Sequence, residues 1–158
     1  IHVRCSTDRG VTWSNDLRTI KDATCCALAV AGNGTVGLLY QQYQKATLIP
    51  RCTSHWVTYL EQSSNAFQTM DSVVLAYVPG NSPARQFLPY IGDYNFLLCV
   101  GNEFRGIFSA NNTPNLDNFP NGVKYQRNAD FATKKLTDAS GNPVAISIDP
   151  FYFSVSIR

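Results

Sequence analysis

Apolar and polar positions alternate along most of this chain, in short runs broken by Gly, Asn, Pro and Ser. That is the signature of half-buried β-strands rather than helices. Ile1–Cys5 alternates, and Val11–Ile20 re-enters an extended pattern. Thr24–Ala31 is apolar throughout and reads as a strand buried on both faces. Asn33-Gly34 is a two-residue hairpin signal that leads into a strand over Thr35–Gln42. Gln44–Ser54, with Pro50, reads as a loop; Trp56–Gln62 alternates, Ser63–Asn65 turns, and Phe67–Val78 is extended again. Pro79–Gly92 is a loop, and the strands Tyr94–Val100 and Phe104–Ala110 flank a turn at Gly101-Asn102. A long polar loop, Asn111–Gly122, carries Pro114 and Pro120. Beyond it the pattern predicts a strand at Val123–Arg127, a turn at Asn128–Asp130, a strand at Phe131–Leu136 and a turn at Asp138–Pro143. Val144–Arg158 then closes the chain in one or two strands. Only Ala129–Thr137 also fits a helix, and its neighbours argue against one.

Composition agrees with an all-β chain. The 158 residues are 44% hydrophobic and 12% aromatic but only 15% charged, enough for one core and poor in helix formers. A net charge of +2 carries no basic stripe, so nucleic acid is not an expected partner. No apolar run reaches the ~20 residues that span a bilayer as a helix. The five cysteines (Cys5, Cys25, Cys26, Cys52, Cys99) lack C-x-x-C spacing, and with His2 and His55 they make no metal set. Buried free thiols or one disulfide account for them. No phosphate loop and no G-x-S-x-G elbow occurs, so neither a cofactor nor a metal is expected. The sequons at Asn33-Gly34-Thr35 and Asn111-Asn112-Thr113 are near chance in a chain this rich in Asn.

One stretch stands out from this pattern: Ser6-Thr7-Asp8-Arg9-Gly10-Val11-Thr12-Trp13. Asp8 can accept bonds from its own turn, Gly10 supplies a positive φ, and Trp13 offers an apolar body to a neighbouring sheet. The string Ser-x-Asp-x-Gly-x-Thr-Trp resembles the Asp-box, or BNR repeat, of sialidase-like β-propellers. Leu88-Pro89-Tyr90-Ile91-Gly92-Asp93-Tyr94 also resembles the G-D-Y element that begins an inner strand in that family, and Phe104-Arg105-Gly106-Ile107-Phe108-Ser109 resembles its second strand. Weaker internal matches run from Arg4-Cys5-Ser6 to Tyr59-Leu60-Glu61 and Tyr125-Gln126-Arg127, with Trp13, Phe67 and Phe131 as the aromatic after each turn. The resemblance implies four-stranded antiparallel blades: a half blade over 1–20, blades over 21–78 and 79–138, and closing strands over 139–158. A closed ring needs ~4–8 blades. The expectation is therefore the C-terminal half of a longer propeller, with two copies completing one ring as the alternative; the start at Ile1, in mid-pattern and without Met, fits either a processed chain or a fragment.

In that family the Asp-box faces away from the ligand, so Ser6, Asp8, Gly10, Thr12 and Trp13 are expected to be structural. The resemblance puts the ligand side on the loops Lys21–Ala23, Tyr43–His55, Pro79–Asp93 and Asn111–Gly122. Sialidases use a Tyr nucleophile assisted by Glu, an Asp acid–base, and arginines that clamp the substrate carboxylate. The matching candidates are Asp93 and Tyr94 as catalytic groups and Arg51 and Arg85 as substrate-binding groups. Structural alternatives are turn-capping by Asp93, inter-blade packing by Tyr94 and solvated loop positions for the arginines. Glu61 lies towards the box end and makes a poor helper base. Tyr40, Tyr43 and Trp56 either stack on sugar rings or pack between blades. The implied function is exo-hydrolysis of extracellular or cell-surface glycans. The alternative is a non-catalytic propeller that acts as a glycan- or protein-recognition scaffold, with a carbohydrate or glycoprotein ligand.

Overall fold

The computed structural model describes residues 1–46, 53–81, 83, 91–124 and 128–158. It is an all-β protein; among these residues the only helical element is a single 3₁₀ turn, Leu116–Asn118. Three antiparallel sheets stack face to face. The first contains β1 (His2–Val3) and β2 (Arg18–Thr19). The second is a four-stranded meander of β3 (Ala23–Val30), β4 (Val36–Gln44), β5 (His55–Ser63) and β6 (Asp71–Pro79). The third contains β7 (Phe96–Val100), β8 (Glu103–Asn111), β9 (Val123–Lys124) and β13 (Ile148–Ser156), in the order β7-β8-β13-β9. Between β9 and β13 the chain builds a small separate sheet from β10 (Asn128–Asp130), β11 (Lys135–Thr137) and β12 (Pro143–Val144).

The alternation legible in the sequence becomes two cores. Leu39, Leu60 and Leu75 of the second sheet meet Phe104, Phe108 and Phe153 of the third, all fully buried. Burying one such side chain is worth about 1.5–3 kcal/mol, so this interface dominates the fold. Gly37 is required at its centre, because a Cβ there would lie 2.7 Å from the Phe104 ring. On the opposite face of the second sheet, Leu38, Tyr40 and Phe67 pack against Val3 and Ile20 of the first.

Several expectations need correction. Val11–Ile20 is mostly bends and irregular chain, with strand only at Arg18–Thr19, and Trp13 is 61% exposed rather than packed under a sheet. β3 is half-buried on one face and exposed on the other: Leu28 is 51% and Val30 58% exposed, because the first sheet has no strands opposite them. Asn128–Asp130 is a strand and Phe131–Lys134 a turn, the reverse of the expected order. β13, expected among closing strands after residue 138, instead occupies the interior of the third sheet, between β8 and β9. The segment between β8 and β13, which carries β9 and the small β10–β12 sheet, is therefore an insertion, and β8 and β13 pair directly across it.

Candidate functional site

The Asp-box forms as a closed hydrogen-bonded turn. The Ser6 hydroxyl donates to Asp8 Oδ1 at 2.7 Å and accepts from the Gly10 N–H at 2.7 Å. Asp8 in turn accepts from the Thr12 N–H at 2.9 Å and the Thr12 hydroxyl at 2.5 Å. These bonds stabilise the carboxylate and lower the Asp8 pKa to about 2, the Thr12 hydroxyl contributing most. Arg9 and Gly10 take positive φ, 61° and 89°.

A second box follows β5, where the internal match predicts a decayed copy, but in a different register and with its hydrogen bonds intact. Ser63 Oγ donates to Asn65 Oδ1 at 3.0 Å and accepts from the Phe67 N–H at 2.9 Å. The Thr69 N–H donates to Asn65 Oδ1 at 3.0 Å, while Asn65 Nδ2 donates to the Thr69 hydroxyl at 2.8 Å. Asn65 replaces Asp8, and the last bond simply reverses direction. Phe67 replaces Gly10 and accepts φ 63°, with Ala66 at 55°. The true equivalents of Ser6, Asp8, Gly10, Thr12 and Trp13 are thus Ser63, Asn65, Phe67, Thr69 and Met70. The expected match to Tyr59-Leu60-Glu61 was out of register, and Phe67 takes the glycine position rather than the tryptophan position. Of the expected third match, Tyr125-Gln126-Arg127 lies outside the described residues. Asp130 does cap a turn, through Ala132 N–H, Thr133 N–H and the Thr133 hydroxyl, but its spacing is different and it joins β10 to β11.

The two boxes lie at one end of the sheets, and Asp93 and Tyr94 lie at the other, just before β7. Asp93 is exposed and Tyr94 is 85% exposed; neither side chain hydrogen-bonds to a described residue. The strand tops beneath them are fixed in place. Cys25 sits in a bulge of β3 at φ 50°, its carbonyl accepting from Asn95 Nδ2 at 2.5 Å and its thiol donating to Gly92 O at 3.5 Å. Burial pushes the Cys25 thiol pKa up, with the Asp93 charge adding a smaller push, so this cysteine is not an activated nucleophile. Gly92 is obligatory, with φ 98° and space limited by the Ser109 side chain at 2.9 Å from a Cβ. Arg51 and Arg85 lie outside the described residues.

The aromatic candidates are used in packing. Tyr40 and Trp56 are buried, Tyr40 stacks on Tyr59 at 5.4 Å, and Tyr43 meets Trp56 at 5.2 Å. A Tyr–Glu pair does exist, but within the second sheet, on its buried face towards the first. The Tyr40 hydroxyl donates to Glu61 Oε1 at 2.8 Å, and Arg18 binds the same carboxylate through Nε at 3.0 Å and Nη2 at 2.7 Å. Burial, then the Glu61 bond, hold the Tyr40 phenol well above its usual pKa. Glu61 is therefore an interior strut and Tyr40 is held protonated.

A second polar group missed in the sequence is Asn112 with Ser147 and Asp149. Asn112 Nδ2 donates to Ser147 Oγ at 2.9 Å and Asp149 Oδ2 at 3.1 Å, and the Ser147 hydroxyl donates to Asp149 Oδ1 at 2.6 Å. It ties the end of the insertion to the top of β8. Asn111 is buried, whereas Asn33 lies exposed in its hairpin turn. Among the described residues no group of three His, Cys, Asp or Glu is placed to hold a metal, and no helix is long and apolar enough to cross a membrane. A scan against protein-family models finds no match, and comparisons with curated proteins and with solved structures also find none.

Proposed function

We propose that this chain is part of a sialidase-like, Asp-box β-propeller, and that the sheet ends opposite the boxes recognise extracellular or cell-surface glycans. The observation that carries this reading is the repeated box. Two turns of different sequence, at Ser6 and Ser63, keep the same hydrogen bonds and the same pair of positive-φ residues while joining consecutive strands of successive sheets. A ring of ~4–8 such sheets needs blades beyond those described here, from the same protein or a second copy. Opposite the boxes, Tyr94 offers an open aromatic face and Asp93 a carboxylate, the pair of chemistries that holds a sugar ring and its hydroxyls.

Exo-hydrolysis is the second reading, favoured by the adjacency of Asp93 and Tyr94, residue types a sialidase uses. Recognition has the better support, because among the described residues the Tyr40–Glu61 pair is buried and its phenol is held protonated. Titration with sialylated and asialo oligosaccharides tests recognition, with Tyr94→Ala expected to weaken binding at least tenfold. No saturable binding to either series removes this reading. Release of 4-methylumbelliferone from a sialoside, lost in Asp93→Asn and Tyr94→Phe, establishes hydrolysis instead; turnover unchanged in both variants places the chemistry elsewhere.

A further inference from the structure

The first sheet is half the width of its neighbours, and the two boxes define which half it is. β1–box–β2 corresponds to β5–box–β6, so β1 and β2 are the third and fourth strands of a unit whose first two positions are empty among the described residues. In the second sheet those positions hold β3 and β4, and β3 covers the inner strand of the next sheet. Ala27 and Ala29 pack with Leu97 and Cys99 of β7, leaving Leu97 only 6% exposed. One sheet back, the corresponding side of β3 carries Leu28 and Val30, more than half exposed, with Cys26 also open. A groove of about 430 Å³ runs there between Val3, Trp13, Leu28 and Leu38. Along its side lies β1. Val3 turns its backbone towards β2, with its carbonyl accepting from the Leu17 N–H at 2.8 Å. By strand alternation the N–H and C=O groups of His2 and Arg4 face the groove. Apolar wall and open edge are therefore side by side.

We propose that this groove receives a partner β-hairpin from outside these 158 residues. Its second strand adds antiparallel to β1, and its first lays small alternate side chains over Leu28 and Val30, as Ala27 and Ala29 do over Leu97. Backbone bonds to His2 and Arg4 set its register, and the apolar contact supplies the stabilisation. The inference rests on the repeat part of the reading above and not on glycan binding, so a failed oligosaccharide titration leaves it standing.

The test is a fusion in which a copy of Ala23–Gln44, with Cys25 and Cys26 of the copy replaced by serine, is joined ahead of Ile1 by a flexible Gly/Ser linker. The unfused 158-residue chain is the comparison. Docking slows thiol labelling at native Cys26 at least tenfold, protects the His2 and Arg4 amides from hydrogen exchange, and leaves labelling at Cys5 unchanged. Leu28→Arg in the chain body abolishes both protections, whereas Phe96→Arg on the far face does not. Unchanged Cys26 labelling and amide exchange in the fusion overturn the proposal. So does a dimer of the unfused chain that Leu28→Arg dissociates, because the groove then belongs to a second copy.

Discussion

Arg18 and Glu61, 43 residues apart, form a two-point ion pair across the first and second sheets, with bonds of 3.0 and 2.7 Å. Glu61 is buried while Arg18 stays 29% exposed at its side chain, so the pair spans the boundary of the core rather than its centre. Removing one member of a buried pair costs about 3–5 kcal/mol because the other charge is left uncompensated. The partial exposure of Arg18 lets water take up part of that charge, which brings the expected loss for Glu61→Gln to about 2–3 kcal/mol. Tyr40→Phe removes one hydrogen bond and is expected to cost about 1 kcal/mol. Urea unfolding midpoints of the two variants check the order; Tyr40→Phe costing more than Glu61→Gln would assign the strut to the phenol.

The boxes make a pH prediction with a definite sign. The carboxyls of Asp8 and Asp16 are both lowered to about 2, Asp8 chiefly by Thr12 and Asp16 chiefly by Arg4 and then His2. Asp130 and Asp138 are lowered too, by Thr133 and Asn142. A carboxyl lowered in the folded state contributes stability above its unfolded value, near 4, and loses it as pH falls through the folded value. Unfolding midpoints should therefore fall steeply from pH 4 to pH 2. Asp8→Asn, which copies the second box at Asn65, should fold at pH 7 and show a shallower fall. An unchanged slope in that variant would remove Asp8 from the acid response.

Much of the fold was legible because strand alternation and turn chemistry are local. Asn33-Gly34 closes the β3–β4 hairpin as expected, with the Gly34 N–H donating to Ala31 O at 2.9 Å. Non-local relationships were hidden. β13 inserts between β8 and β9 although β9 precedes it in the chain, and nothing in the alternation of Ile148–Ser156 specifies that neighbour. The exposure of Leu28 was invisible for the same reason, since an apolar run reports hydrophobicity and not what covers it. The second box was in principle readable, because Ser63, Asn65 and Thr69 keep the spacing of Ser6, Asp8 and Thr12. Phe67 in the glycine position disguised it. The candidate site remained at the level of Asp93 and Tyr94, whose roles depend on partners that spacing alone does not supply.

Phe67 itself sets two effects against each other. Its φ of 63° disfavours any side chain, and relieving such strain with glycine gains about 1–3 kcal/mol. Its ring, 7% exposed, packs with Leu38 and Tyr40, and deleting a buried phenyl costs about 3–5 kcal/mol. Packing wins, so Phe67→Gly should destabilise by about 1–3 kcal/mol even though it restores the residue type of the first box. Thermal unfolding of this single variant decides it: a raised midpoint would show that backbone strain, not the phenyl ring, governs this turn.

At the interface between the second and third sheets the sign is set by space. Gly37 stands over the Phe104 ring, with Cε1 2.7 Å and Cδ1 2.9 Å from where a Cβ would be. Phe104 is fully buried among Leu39, Leu60 and Phe153, so it has no solvent side to retreat to. Gly37→Ala would otherwise be a mild change in a strand, since it removes chain entropy from the unfolded state and gains about 0.4–1 kcal/mol. Overpacking costs about 1–3 kcal/mol here and outweighs that gain. Phe104→Leu removes ring atoms from the point of contact. The double variant should therefore lose less than the two single losses added together, a coupling that a double-mutant cycle of denaturation free energies reads directly. Simple additivity within about 0.3 kcal/mol would mean that the Gly37 contact with Phe104 does not limit how closely the two sheets approach.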